Sequence, residues 1–123
     1  MINYNGRVFR PVESSESGEA GSDTLFYYYQ SGSVVWADYS GGAVLRGHLI
    51  AFAAPDGSLD MRYHHVNRSG ELMTGICRSM PEVLADGRLM LNEEWQWTSG
   101  DRSTGSSRLE EVKGVLTTFP TFD

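Results

Sequence analysis

The chain reads as all-β, a single up-and-down antiparallel β-barrel of about eight strands, with roughly seven to ten as the range that uncertain strand ends allow. Three observations predict this. A triplet Gly-x-Val/Leu recurs at Gly6, Gly32, Gly42, Gly57, Gly70 and Gly87, and every copy follows Asn, Ser, Asp or another Gly. Glycine supplies the positive φ of tight turns and Asn or Asp before it tolerates the same region, so each copy marks a chain reversal. No interval between copies carries apolar residues at a helical period, and each suits one strand plus one turn. Residues 87–101, GRLMLNEEWQWTSGD, hold about a dozen residues free of Gly and Pro between two turns, enough for a strand of roughly 35 to 40 Å. Within it Trp95 and Trp97 share one face, and Glu94 and Gln96 the other.

In chain order, residues 4–12 form a first strand that Pro11 interrupts. Residues 13–23, ESSESGEAGSD, carry four acids and no apolar residue larger than alanine, the composition of an acidic mobile loop. Extended segments follow at 24–30, 34–39, 43–53, 59–67, 71–79 and 88–98, and 104–112 closes the series. Residues 80–85, with Pro81 near their start, are expected to bulge from the sheet. The apolar tail at 113–123 is expected to pack back on the barrel or on a partner. An open meander of eight strands exposes two edges, and closure removes them, leaving an interior filled by side chains or by one small ligand. The expectation is therefore a lipocalin-like barrel, with a twisted open sheet or a two-sheet sandwich as the alternative.

At 123 residues the chain is one domain, 1–123, able to bury a core without staples. The net charge is −6, with one lysine and nine arginines scattered singly, which argues against a nucleic-acid partner. One cysteine, Cys77, excludes an internal disulfide and fits a reducing compartment. The first residues lack a secretory pattern, and no apolar run reaches membrane-spanning length. A soluble cytoplasmic protein with no membrane partner is expected.

Treating Asp56-Gly57, Ser69-Gly70 and Asp86-Gly87 as two-residue turns carries parity from strand to strand. One face then gathers Ile50, Phe52, Met61, Tyr63, His65, Trp95 and Trp97. The other gathers Gly47, Leu49, Arg62, His64, Gly75, Cys77, Glu94 and Gln96. Hydrophobic burial favours the first face as interior, whereas the small residues of the second leave a narrow barrel open. The second is taken as the lumen, with Arg62, His64, Glu94 and Gln96 as a linked polar network beside Cys77. Tyr63, Trp95 and Trp97 then form an outer patch.

These five residues, Arg62, His64, Cys77, Glu94 and Gln96, are the candidate ligand-binding set. Arg62 and His64 suit an anion, with Glu94 orienting the arginine; the structural alternative is a simple Arg62–Glu94 ion pair. His64 and His65 face opposite ways on a strand, which disfavours a metal site, and Glu93 and Glu94 split likewise, so they form no acid and base pair. Neither a catalytic residue nor a cofactor is assigned. Residues 98–107, TSGDRSTGSS, match a phosphate loop in composition alone.

The strings YSGGAVLRGHLI, DMRYHHVN, GELMTGICRS and NEEWQWTSGD resemble a family of small bacterial all-β proteins, over most of the chain from Gly6 to Glu111. Some members carry an N-acetylglutamate synthase label, but the Arg/Gln-x-x-Gly-x-Gly/Ala turn that holds the pyrophosphate in such transferases is not in this chain. The resemblance implies an all-β domain and transfers no catalytic residues. The function expected is non-enzymatic binding of a small molecule in a cavity of several hundred Å³. The alternatives are a homodimeric interaction module and a small barrel enzyme using His64 with Glu94 or Cys77.

Overall fold

The computed structural model describes residues 2–113; the tail at 114–123, and the packing expected of it, lie outside them. Eight strands run β1 (Val8–Ser14), β2 (Leu25–Ser31), β3 (Val34–Gly41), β4 (Val44–Ala53), β5 (Leu59–Asn67), β6 (Leu72–Val83), β7 (Leu89–Trp97) and β8 (Thr104–Glu111). Every strand pairs antiparallel with its neighbours in sequence, and β1 pairs with β8, so the sheet closes into an up-and-down barrel and the open-sheet alternative falls away. Closure runs from Phe9 opposite Glu111 to Ser14 opposite Ser107, with a bulge between Pro11 and Glu13 that lets the strand continue past the proline. Residues 80–83 do not leave the sheet. Pro81 pairs with Leu91 on β7, while β5 has already ended opposite Ser79, so the missing N–H falls on an unpaired side.

The hairpins are one residue longer than two-residue turns, and this overturns the expected faces. Ala54 and Ser58, Asn67 and Glu71, and Leu84 and Arg88 bracket three-residue loops, each with a positive-φ glycine (Gly57, Gly70, Gly87) in third place. The Asp56 and Asp86 carboxylates accept the N–H two residues on, from Ser58 and Arg88, and Asn67 Oδ1 does the same for Ser69. Pairing therefore sets Ala51 opposite Met61, Met61 opposite Cys77, and Cys77 opposite Trp95, all on the inner face. A one-residue change in loop length exchanges the two faces of the next strand. The lumen thus takes β4 and β6 as expected and the reverse faces of β5 and β7.

Inside, the two ends differ. At the end reached by the N-terminal residues, Tyr4 is fully buried and plugs the barrel, its hydroxyl donating to the Gly57 carbonyl. Phe9, Val35, Leu59, Leu89, Leu91 and Leu109 fill the space above it at 2% exposure or less. At about 25 cal/mol per Å² of apolar surface, each such leucine contributes roughly 1.5–3 kcal/mol. At the other end lie the β3–β4, β5–β6 and β7–β8 hairpins and the connection 15–24 between β1 and β2, which crosses the mouth as a strap.

Candidate functional site

Three aromatic side chains set the shape of the mouth, and each lies against a glycine directly opposite on the next strand. The pairs are Tyr39 with Gly47, Tyr63 with Gly75 and Trp95 with Gly105. A methyl group at these glycines would stand 2.4, 2.1 and 2.4 Å from the respective rings, so only glycine lets the rings lie flat across the wall. Flattened rings leave the axis open. Phe26 stacks on Tyr39 at 4.6 Å, and Trp97 meets Tyr63 and Trp95 at 5.5 and 5.7 Å. They enclose a cavity of about 60 Å³ whose lining also includes Leu49, Met61, His65, Cys77 and Glu93. Among the described residues the lumen falls short of the several hundred Å³ expected of a ligand-sized cavity, because the rings and the strap occupy it.

The strap closes the mouth through polar contacts. Glu19 accepts from His65 Nε2 at 2.7 Å and from Asn67 Nδ2 at 3.1 Å, and the Ser17 carbonyl accepts from Trp97 Nε1 at 2.9 Å. His65 is 5% exposed, and its Nδ1 meets the Tyr39 hydroxyl at 2.9 Å. The same hydroxyl donates to the His64 carbonyl at 3.3 Å, and both ring nitrogens of His65 are engaged, one by Tyr39 and one by the Glu19 carboxylate. The acidic segment expected as a mobile loop thus supplies Glu19 to a buried network.

Deeper in the lumen the polar groups are unmatched. Tyr28 Oη on β2, Ser79 Oγ on β6 and Glu93 Oε2 on β7 are buried without a hydrogen-bond partner among the described residues. Glu93 faces Ser79 across the β6–β7 ladder and Ser107 across the β7–β8 ladder. Burial pushes its carboxyl up to about 7, and the Ser79 hydroxyl eases that rise without closing a hydrogen bond. Burial also raises the Cys77 thiol far above its ordinary range, with the Glu93 charge adding to it, so Cys77 is no thiolate nucleophile.

Of the five residues expected to line the lumen, only Cys77 does. Arg62, His64, Glu94 and Gln96 are exposed on the outer wall. Arg62 pairs with Asp60 at 2.7 Å rather than with Glu94, in an ion pair open to solvent on both sides. Arg62, Glu94 and Gln96 line an open outer depression without His64. His64 faces away from Cys77, and its ring lies 5.8 Å from that of His48 instead. The geometric basis for an enzyme using His64 is therefore absent. The separations of His64 from His65 and of Glu93 from Glu94 hold, and their inward members, His65 and Glu93, are the site residues that parity misassigned.

No group of three or more His, Cys, Asp or Glu among the described residues is arranged to hold a metal. No curated protein and no solved structure matches the chain significantly. A family model does, one described as avidin-like protein, and it matches residues 2–112, from before the Tyr4 plug to just past the closing strand. This closed eight-stranded barrel belongs to the avidin-like protein family.

Proposed function

We propose that the barrel binds a small molecule at its strap end, without catalysis. One observation carries the reading: Glu93, which lines the cavity behind the aromatic mouth, has Oε2 buried and unpaired, and the Tyr28 and Ser79 hydroxyls from two further strands are buried unpaired beyond the cavity lining. Each such atom costs about 1–3 kcal/mol when left unpaired. A cost repeated three times in one lumen is what a site shaped for a partner bears before the partner enters. Membership of the avidin-like protein family supports the same class of function. The present cavity suits a head group of a few atoms, and the strap, which rests largely on side-chain bonds, is the element that moves to admit more. Native mass spectrometry of the protein purified from its own host tests this: the expected result is a retained small mass that Trp97→Ala releases. Protein without bound mass, whose tryptophan fluorescence answers no member of a metabolite panel, overturns it.

A second reading concerns the outer wall. Val34, Ile50 and Phe52 are 41%, 52% and 64% exposed, and Val34 pairs with Phe52 as Trp36 does with Ile50, which makes one apolar patch across β3 and β4. It supports self-association as a homodimer. A strict monomer by light scattering at micromolar concentration removes that reading.

A further inference from the structure

Leaving aside His65, whose ring lies against Glu19, the charged groups lining the lumen have one sign. Its lining includes two carboxylates, Glu19 and Glu93, and no arginine or lysine among the described residues. Glu19 is matched by His65 and Asn67. Glu93 is not. The Ser79 hydroxyl opposite it is unpaired, and the Ser107 hydroxyl on its other side already receives Trp95 Nε1 at 2.9 Å and lies 3.1 Å from Ser14 Oγ. The groups that feel its charge are Tyr28 on β2, Tyr39 on β3, Tyr63 on β5, Cys77 on β6 and Tyr4 at the plug, none of them cationic. His65 is the one base in the lining, and both its ring nitrogens are engaged, by Tyr39 and by Glu19.

We propose that the lumen receives a small cationic group, an ammonium or amidinium, which pairs with the Glu93 carboxylate and lies among the rings of Tyr63, Trp95 and Trp97. This rests on the small-molecule reading above and gives it a ligand class. A buried carboxylate without a counter-charge is costly, and an entering cation relieves that cost. The indole and phenol faces attract the same cation. A carboxylate or phosphate meets two acids and no fixed positive charge, so the anion expected at Arg62 and His64 is replaced by its opposite. The cavity, about 60 Å³, limits the head to a few heavy atoms.

Acetamidinium, acetamide and acetate share one shape and differ in charge, so titrating each into the whole protein, followed by tryptophan fluorescence and calorimetry, isolates the sign. Acetamidinium is expected to bind at least roughly tenfold more tightly than acetamide, with acetate not binding. Because the Glu93 proton must leave, its affinity should rise about tenfold per pH unit up to about 7 and level off above. Glu93→Gln, close in shape, should abolish both the preference and the pH slope, with its thermal transition reporting that it is folded. Acetamide matching acetamidinium, acetate binding best, or a flat pH profile overturns the cation while leaving a binding lumen in place. A host-purified protein that retains a mass yet ignores all three probes also overturns it. Silence from the probes together with an empty mass spectrum removes the cation and the small-molecule reading alike.

Discussion

At the plugged end, Phe9, Val35, Leu59, Leu91 and Leu109 interlock above Tyr4 at 1% exposure or less, whereas at the strap end rings lean on glycines around a cavity, with Glu93 in its lining and the unpaired Tyr28 and Ser79 hydroxyls between the two regions. One closed sheet carries both. The first arrangement maximises dispersion and burial and leaves nothing for chemistry to act on. The second gives up packing density and hydrogen bonds where a ligand would restore them. The contrast assigns stability to one end of the axis and recognition to the other, and substitutions at the two ends should separate the properties.

The largest effect is expected at the plugged end. Leu91→Ala removes a fully buried side chain from the filled core and should cost about 2–5 kcal/mol in urea unfolding, with probe affinity unchanged under conditions where the variant stays folded. Equal loss of binding would show that the ends are coupled. The next is at the strap end and has the opposite sign. The folded Glu93 carboxyl sits near 7, above its ordinary 4.5, so the folded state holds the proton more tightly than the unfolded one. Its contribution is complete below pH 4.5 and is lost as pH rises through about 7, by at most about 3 kcal/mol. Glu93→Gln should flatten that decline, leaving the variant more stable than the parent at pH 8 and nearly equal to it at pH 4.5. Parallel pH profiles of unfolding would mean that the carboxyl is not buried in its charged form. The smallest is on the outer wall: Arg62→Ala, which breaks only the solvent-exposed pair with Asp60, should move stability by less than about 0.5 kcal/mol and affinity not at all.

The barrel was legible because turn chemistry is local. Glycine after Asn, Asp, Ser or Gly marked the corners, and β5 matches the expected 59–67 from end to end. The lumen was not legible, because a two-residue and a three-residue loop both present Asp-Gly and differ only in where the flanking strands take up pairing. The hydrophobic pattern held a partial remedy. In β7 the odd positions Leu89, Leu91, Trp95 and Trp97 outweigh the even ones, and all four face inward. In β4 and β6 the rule fails, since Gly47 and Gly75 point in while Ile50, Phe52 and Leu72 point out. Those glycines are there for rings supplied by other strands, and nothing in their own strand announces it. Glu19 was hidden for another reason: an acidic segment reads as solvated until its partner, His65, is known to face inward.

Strands β1 and β8 begin and finish side by side at the plugged end, where the Val112 amide donates to the Val8 carbonyl. Anything joined to the barrel ahead of β1 therefore leaves from the pole opposite the strap. An N-terminal tether to a chip or bead would hold the molecule with its mouth facing bulk solution, so immobilised and free protein should give the same dissociation constants.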